Sequence, residues 1–142
     1  MISWAEDAAS EFLAEQTAAN NRNARFVIED RLRRHIAPRI WKALRDVLER
    51  ECFEFNEIVK KKVLLFEIQP QSGCVIRNLV LRKTLNLEYD PEAHRIYFEC
   101  GNDHGEYLFL VNADSTVELA TINHIPRTVE EICRELLNML RL

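Results

Sequence analysis

From Leu79 to Tyr89 the chain alternates, with Leu79, Leu81, Leu85, Leu87 and Tyr89 on one parity and Arg82, Thr84, Asn86 and Glu88 on the other. Period-two alternation predicts a strand with one buried and one wetter face. A shorter apolar run before it, Val63 to Ile68, predicts a first strand, and the second is expected to begin within Cys74–Leu79 and run to Tyr89. Three further runs follow. Arg95 to Cys100 places Ile96, Phe98 and Cys100 on one parity, Glu106 to Val111 is apolar on both, and Thr116 to Ile122 points Val117 and Leu119 inward. A run that is apolar on both faces predicts a central strand covered on both sides. The segments between the runs are Gln69–Gly73, Asp90–His94, Gly101–Gly105 and Asn112–Ser115, all rich in Pro, Gly, Asn, Asp or Ser and all read as turns.

The flanks follow a helical period instead. Ser3 and Glu6 have capping-box spacing, and Trp4, Ala8 and Phe12 make a thin apolar edge that Ala-rich sequence continues to Ala19, before Asn20, Asn21 and Asn23 interrupt it. From Ala24 to Lys61 a broader stripe runs through Ile28, Leu32, Ile36, Ile40, Leu44 and Val47. Pro38 lies within it and predicts a kink, or two helices meeting, near Ala37, because proline removes one backbone hydrogen bond and crowds the preceding turn; the unbroken phase of the stripe favours the kink. Arg33 falls on the apolar side and is the misfit of the stripe. At the other end Thr128 and Glu131 form a second capping-box pattern, followed by Val129, Ile132, Cys133, Leu136, Leu137 and Leu140 at helical spacing. The predicted architecture is α+β: N-terminal helices, an antiparallel β-meander of four to five strands, and a C-terminal helix packed on the sheet.

The 142 residues match one typical domain, so residues 1–142 are read as a single α+β unit. Apolar residues are 47% and charged residues 30% of the chain, with three Gly and four Pro, a globular composition. Cys52, Cys74, Cys100 and Cys133 are irregularly spaced, and the first residues are acidic where a signal peptide is basic. Both features lead us to expect a cytoplasmic protein with reduced thiols. No apolar run reaches the length of a membrane span.

The net charge of −4 is unevenly spread. Residues 1–20 carry only acids, while residues 22–50 carry nine Lys or Arg against four Asp or Glu. Arg31, Arg34, Lys42 and Arg45 gather on the side of the long helix opposite its apolar stripe and are the candidate binding residues. Clustered cations suit nucleic-acid phosphates, but the acidic total and the lack of aromatic residues on that face speak against nucleic acid, and pairing with the acidic N-terminal helix, of the same chain or of a protein partner, is the preferred reading.

If the strands pair in order, Cys100, Asp103, His104 and His124 come to one end of the sheet. These four are the candidate catalytic residues of a hydrolase or small-ligand binder, with Cys100 as thiolate nucleophile and His104 as base, and their types would also suit zinc. No C-x2-C pair, P-loop, G-x-G-x-x-G, H-E-x-x-H or G-x-S-x-G motif accompanies them. No metal or other cofactor is therefore expected. The thin N-terminal helix, too poor in apolar residues to stand alone, favours another reading: a non-catalytic protein–protein interaction or oligomerisation domain whose residues 1–20 form the contact of a homodimer.

Overall fold

The computed structural model describes residues 3–70 and 72–141. Met1 and Ile2, at the head of the expected N-terminal helix, and Gln71, inside the expected Gln69–Gly73 turn, lie outside the described residues.

A single helix, α1, runs unbroken from Trp4 to Val59. Two helices meeting near Ala37 do not form: Pro38 is taken inside α1, and Asn20, Asn21 and Asn23 do not end it. Each Asn costs less than about 0.7 kcal/mol relative to Ala, too little to stop a helix held elsewhere. Ser3 caps its start, Oγ accepting from the Glu6 N–H. Lys60 ends it in the left-handed conformation, its N–H donating to the Asn56 carbonyl. Asn56 also turns the chain into the first strand, its Oδ1 accepting from the Val63 and Leu64 N–H groups while Nδ2 donates to the Leu64 carbonyl.

Seven strands follow: β1 (Leu64–Gln69), β2 (Gly73–Asn78), β3 (Lys83–Asp90), β4 (Arg95–Cys100), β5 (Asp103–Val111), β6 (Val117–Thr121) and β7 (Pro126–Arg127). They form one sheet in sequence order, every neighbouring pair antiparallel. The meander is as expected, but with seven strands in place of four to five.

Asn78 is the main reason. The alternating run that starts at Leu79 looks continuous, yet Asn78 Oδ1 accepts from the N–H groups of Val80 and Leu81, and Arg82 takes a positive φ of 55°. Leu79–Arg82 is thereby a turn, with Leu79 and Val80 exposed, and one expected strand becomes β2 and β3. The seventh strand is the two-residue β7, which pairs with β6.

The β4–β5 connection differs as well. Cys100 pairs with Asp103, leaving Gly101 (φ 61°) and Asn102 as a two-residue hairpin turn. Gly105 then lies within β5, opposite Phe98, where a Cβ would sit 2.5 Å from the Phe98 ring. The missing side chain leaves room for that ring, which packs at a tilt of 34° to Tyr107 with 5.4 Å between centroids.

The core lies between one face of the sheet and the two helices. Ile76, Leu85, Leu87, Tyr89, Ile96, Tyr107, Phe109 and Leu119 point inward from β2 to β6. Over them lie Ala37, Trp41, Leu44, Leu48 and Cys52 of α1, at successive steps of four, three, four and four. The second helix, α2 (Val129–Asn138), adds Ile132, Cys133 and Leu136, and its Thr128–Glu131 capping box is present in both directions. Asn78, the one buried polar side chain among the described residues, ties sheet to C-terminus through Nδ2 to the Leu140 carbonyl at 2.8 Å.

Candidate functional site

Cys100 and His104 belong to one hairpin but to opposite faces of it. Cys100 is in register with Asp103, and Glu99 is in register with His104. Adjacent residues of a strand point to opposite sides, so Cys100 faces the core and His104 faces away from it. The Cys100 thiol is buried, donates weakly to the Met139 carbonyl at 3.8 Å, and has its pKa raised by desolvation. Asp103 is exposed at the hairpin, and His124 is exposed in the β6–β7 turn at φ 64°. Among the described residues no group of three or more His, Cys, Asp or Glu side chains is placed to hold a metal ion. The other thiols are similarly buried: desolvation pushes Cys52 and Cys74 up to about 12 and Cys133 to about 11.

His104 opens instead onto the outer face of the sheet. There a depression of about 720 Å³ is lined by Arg77, Asn86, Glu88, Tyr97, Glu99 and His104, among others. Its polar groups come from facing strands, and Arg77 is already engaged by Glu67 at 3.1 Å.

The four basic candidates of α1 also separate. Arg34 Nε donates to Asp30 at 2.8 Å, and its guanidinium reaches Glu92 at 3.6 Å. Arg45 lies over the Trp41 ring, 5.7 Å from the centroid. Arg31 and Lys42 remain exposed. Two of the four are thus engaged, Arg45 within α1 and Arg34 both within α1 and with Glu92 of the β3–β4 turn, which leaves a thinner cationic face than the helical wheel implies. Arg33, the misfit, reaches the sheet and donates from Nε to the Phe109 carbonyl at 2.9 Å.

Those contacts mark where α1 meets the rest of the fold. His94, in the β3–β4 turn, lies 2.7 Å from Asp30, and the hydrogen bonds from His94 and Arg34 hold the Asp30 carboxyl below its usual range. From Asp30 onward the helix is docked. From Trp4 to Ile28 it is not: among the described residues, every side-chain hydrogen bond made by this segment stays within α1 or its cap. Trp4, Phe12 and Phe26 are 84%, 63% and 66% exposed, and Leu13, Val27 and Ile28 are exposed with them. At 1.5 Å per residue the free segment is roughly 37 Å long.

Sequence reasoning singled out the apolar edge at Trp4, Ala8 and Phe12 but ended its helix before Asn20. The continuation to Phe26 was missed, although Phe26 lies within about 40° of Trp4 on an ideal helical wheel. No protein-family model, curated protein or solved structure matches the chain. Among the described residues no helix is long and apolar enough to cross a membrane.

Proposed function

We propose that this chain is a non-catalytic protein-interaction module whose contact surface is the free half of α1, with a second copy of the chain as partner. The observation that carries the reading is the free segment itself. Helices in proteins draw most of their stability from packing an apolar face against something, and this segment instead exposes three aromatic side chains to solvent. Large apolar groups on an otherwise polar helix are characteristic of surfaces that are covered in use. The inward-facing, protonated thiols give no support to a nucleophile, and four unpaired buried cysteines support a reducing, cytoplasmic setting.

Sedimentation velocity over a hundredfold concentration range, on the full chain and on a chain beginning at Glu29, tests this. The expected result is a sedimentation coefficient that rises with concentration for the full chain only, while the shortened chain keeps the thermal midpoint of the full one. Identical concentration behaviour of the two proteins would overturn the reading, because the free segment would then make no contact.

A further inference from the structure

We infer that the free half of α1 pairs with the same segment of a second copy in antiparallel orientation, the two-fold axis passing beside Glu15 and Gln16. The inference rests on the interaction reading above and adds to it the geometry of the pair.

Charge determines the direction. In the free segment Glu6, Asp7, Glu11 and Glu15 occupy the first half with no Lys or Arg among them, whereas Arg22 and Arg25 occupy the second half with no acid. A parallel pair would set four carboxylates against their own copies. An antiparallel pair sets each acidic half against a basic one, and complementary charge fixes register and suppresses the alternative.

The apolar positions obey the same symmetry. A two-fold contact requires that if one residue meets a second on the partner, the second meets the first in return. About a midpoint between residues 15 and 16, Trp4 comes level with the partner's Val27 and beside the partner's Phe26. Phe12 comes level with the partner's Ala19, and Ala8 with the partner's Asn23. Glu6 falls level with the partner's Arg25, next to Asp7. Trp4, Ala8, Phe12, Ala19 and Phe26 lie within roughly 80° of arc on an ideal helix, so a single edge serves both halves. A large aromatic thus faces a small or polar residue near the centre, and aromatics meet at the two ends.

The size of the contact sets its strength. At these exposures Trp4 offers roughly 210 Å² and Phe12 and Phe26 roughly 95–165 Å² each, taken from the roughly 150–250 Å² an aromatic side chain can bury, for a total of about 800–1,100 Å² over the two chains. That lies near the lower bound of about 1,000 Å² for a specific interface. The pair is therefore expected to dissociate on dilution.

Small-angle scattering on the full chain, in line with size exclusion and light scattering, reads mass and shape together. Because α1 has 56 residues, it is roughly 84 Å long, and an antiparallel dimer overlapping only along the free segment has a maximum dimension of roughly 130 Å. The expected result is twice the monomer mass with that dimension. A dimer of roughly 90 Å, the length of two helices side by side in parallel, would overturn the inference and leave the interaction reading intact. A monomer at every concentration would also overturn it.

The second arm reverses charge. The variant E6K/D7K/E11K/E15K is expected to lose the dimer, since both halves are then basic, and adding R22E/R25E is expected to restore it. Restoration separates lost pairing from a merely frayed helix. A dimer unaffected by the fourfold reversal, or not restored by the sixfold one, would overturn the assignment.

Discussion

Replacing Asn78 by Ala removes three hydrogen bonds from one buried position. The side chain accepts from Val80 N at 3.1 Å and Leu81 N at 3.0 Å, and donates to the Leu140 carbonyl at 2.8 Å. A typical intramolecular hydrogen bond contributes about 0.5–1.5 kcal/mol net, and a buried acceptor left unpaired costs about 1–3 kcal/mol. The Val80 and Leu81 amides sit in a turn where water can replace part of their loss, so the Leu140 carbonyl carries the larger share. Asn78→Ala is expected to cost about 3 kcal/mol, or about 10 °C in thermal midpoint at roughly 3 °C per kcal/mol for a chain of this size. Asn78→Asp sharpens the test. Its carboxylate keeps both turn bonds, which favour the ionised form, but it is buried and faces the Leu140 carbonyl with no proton to donate. Burial with that repulsion outweighs the two bonds, so its folded-state pKa is raised. A raised pKa means that the proton is held more tightly when folded, so the deficit relative to the native protein is smaller in acid and grows as pH rises through that value. Urea unfolding followed by far-ultraviolet circular dichroism at pH 4 and pH 7 gives both quantities from midpoints at constant slope. A loss below about 1 kcal/mol for Asn78→Ala, or an Asn78→Asp deficit independent of pH, would refute the argument.

Three further outcomes are expected. Gly105→Ala forces a Cβ to within 2.5 Å of the Phe98 ring and should cost about 1–3 kcal/mol by overpacking; in a Phe98→Leu background the same change should cost less, a coupling that a double-mutant cycle measures and that vanishes if the two do not touch. The four buried thiols, with Cys52 and Cys74 pushed up to about 12, should be silent to a chromogenic disulfide reagent at pH 8 in the native protein and react fully in denaturant; one fast native equivalent would contradict their burial. Asp30 has its carboxyl lowered by hydrogen bonds from His94 and Arg34, so its contribution is present above the ordinary carboxylate range and is lost as pH falls through the lower folded value; urea midpoints of the native chain should drop more steeply below pH 4 than those of Asp30→Asn, and parallel curves would contradict the pairing.

What the sequence revealed depended on whether a signal was local. The α2 helix was legible because Thr128 and Glu131 fix its start and Ile132, Cys133, Leu136 and Leu140 repeat at helical spacing. The up-and-down order of the sheet was legible because each turn is short. The β2–β3 turn was hidden, since Leu79, Val80 and Leu81 continue the apolar pattern and no Gly or Pro interrupts it; only Asn78, satisfied by the distant Leu140 carbonyl, makes the turn. Gly105 misled in the opposite sense, marking a close approach to Phe98 within a strand rather than a loop. The separation of Cys100 from His104 depends on register, which the two-residue turn at Gly101 fixes and which shifts every side chain to the other face when it slips by one. For α1 the apolar edge at Trp4 and Phe12 was visible, but the reach of the free segment to Ile28 was not, because the docked and free halves share one helical phase. The basic face looked continuous until Asp30, Glu92 and Trp41 were seen to engage Arg34 and Arg45.

Amide hydrogen exchange measured residue by residue at two concentrations reads directly whether another protein chain covers the free half of α1. At dilution residues 4–28 should exchange within seconds while Trp41, Leu44 and Leu48 on the docked half stay protected. At a hundredfold higher concentration protection should spread to residues 4–28 and leave the docked half unchanged. Exchange of residues 4–28 that is the same at both concentrations would contradict the account.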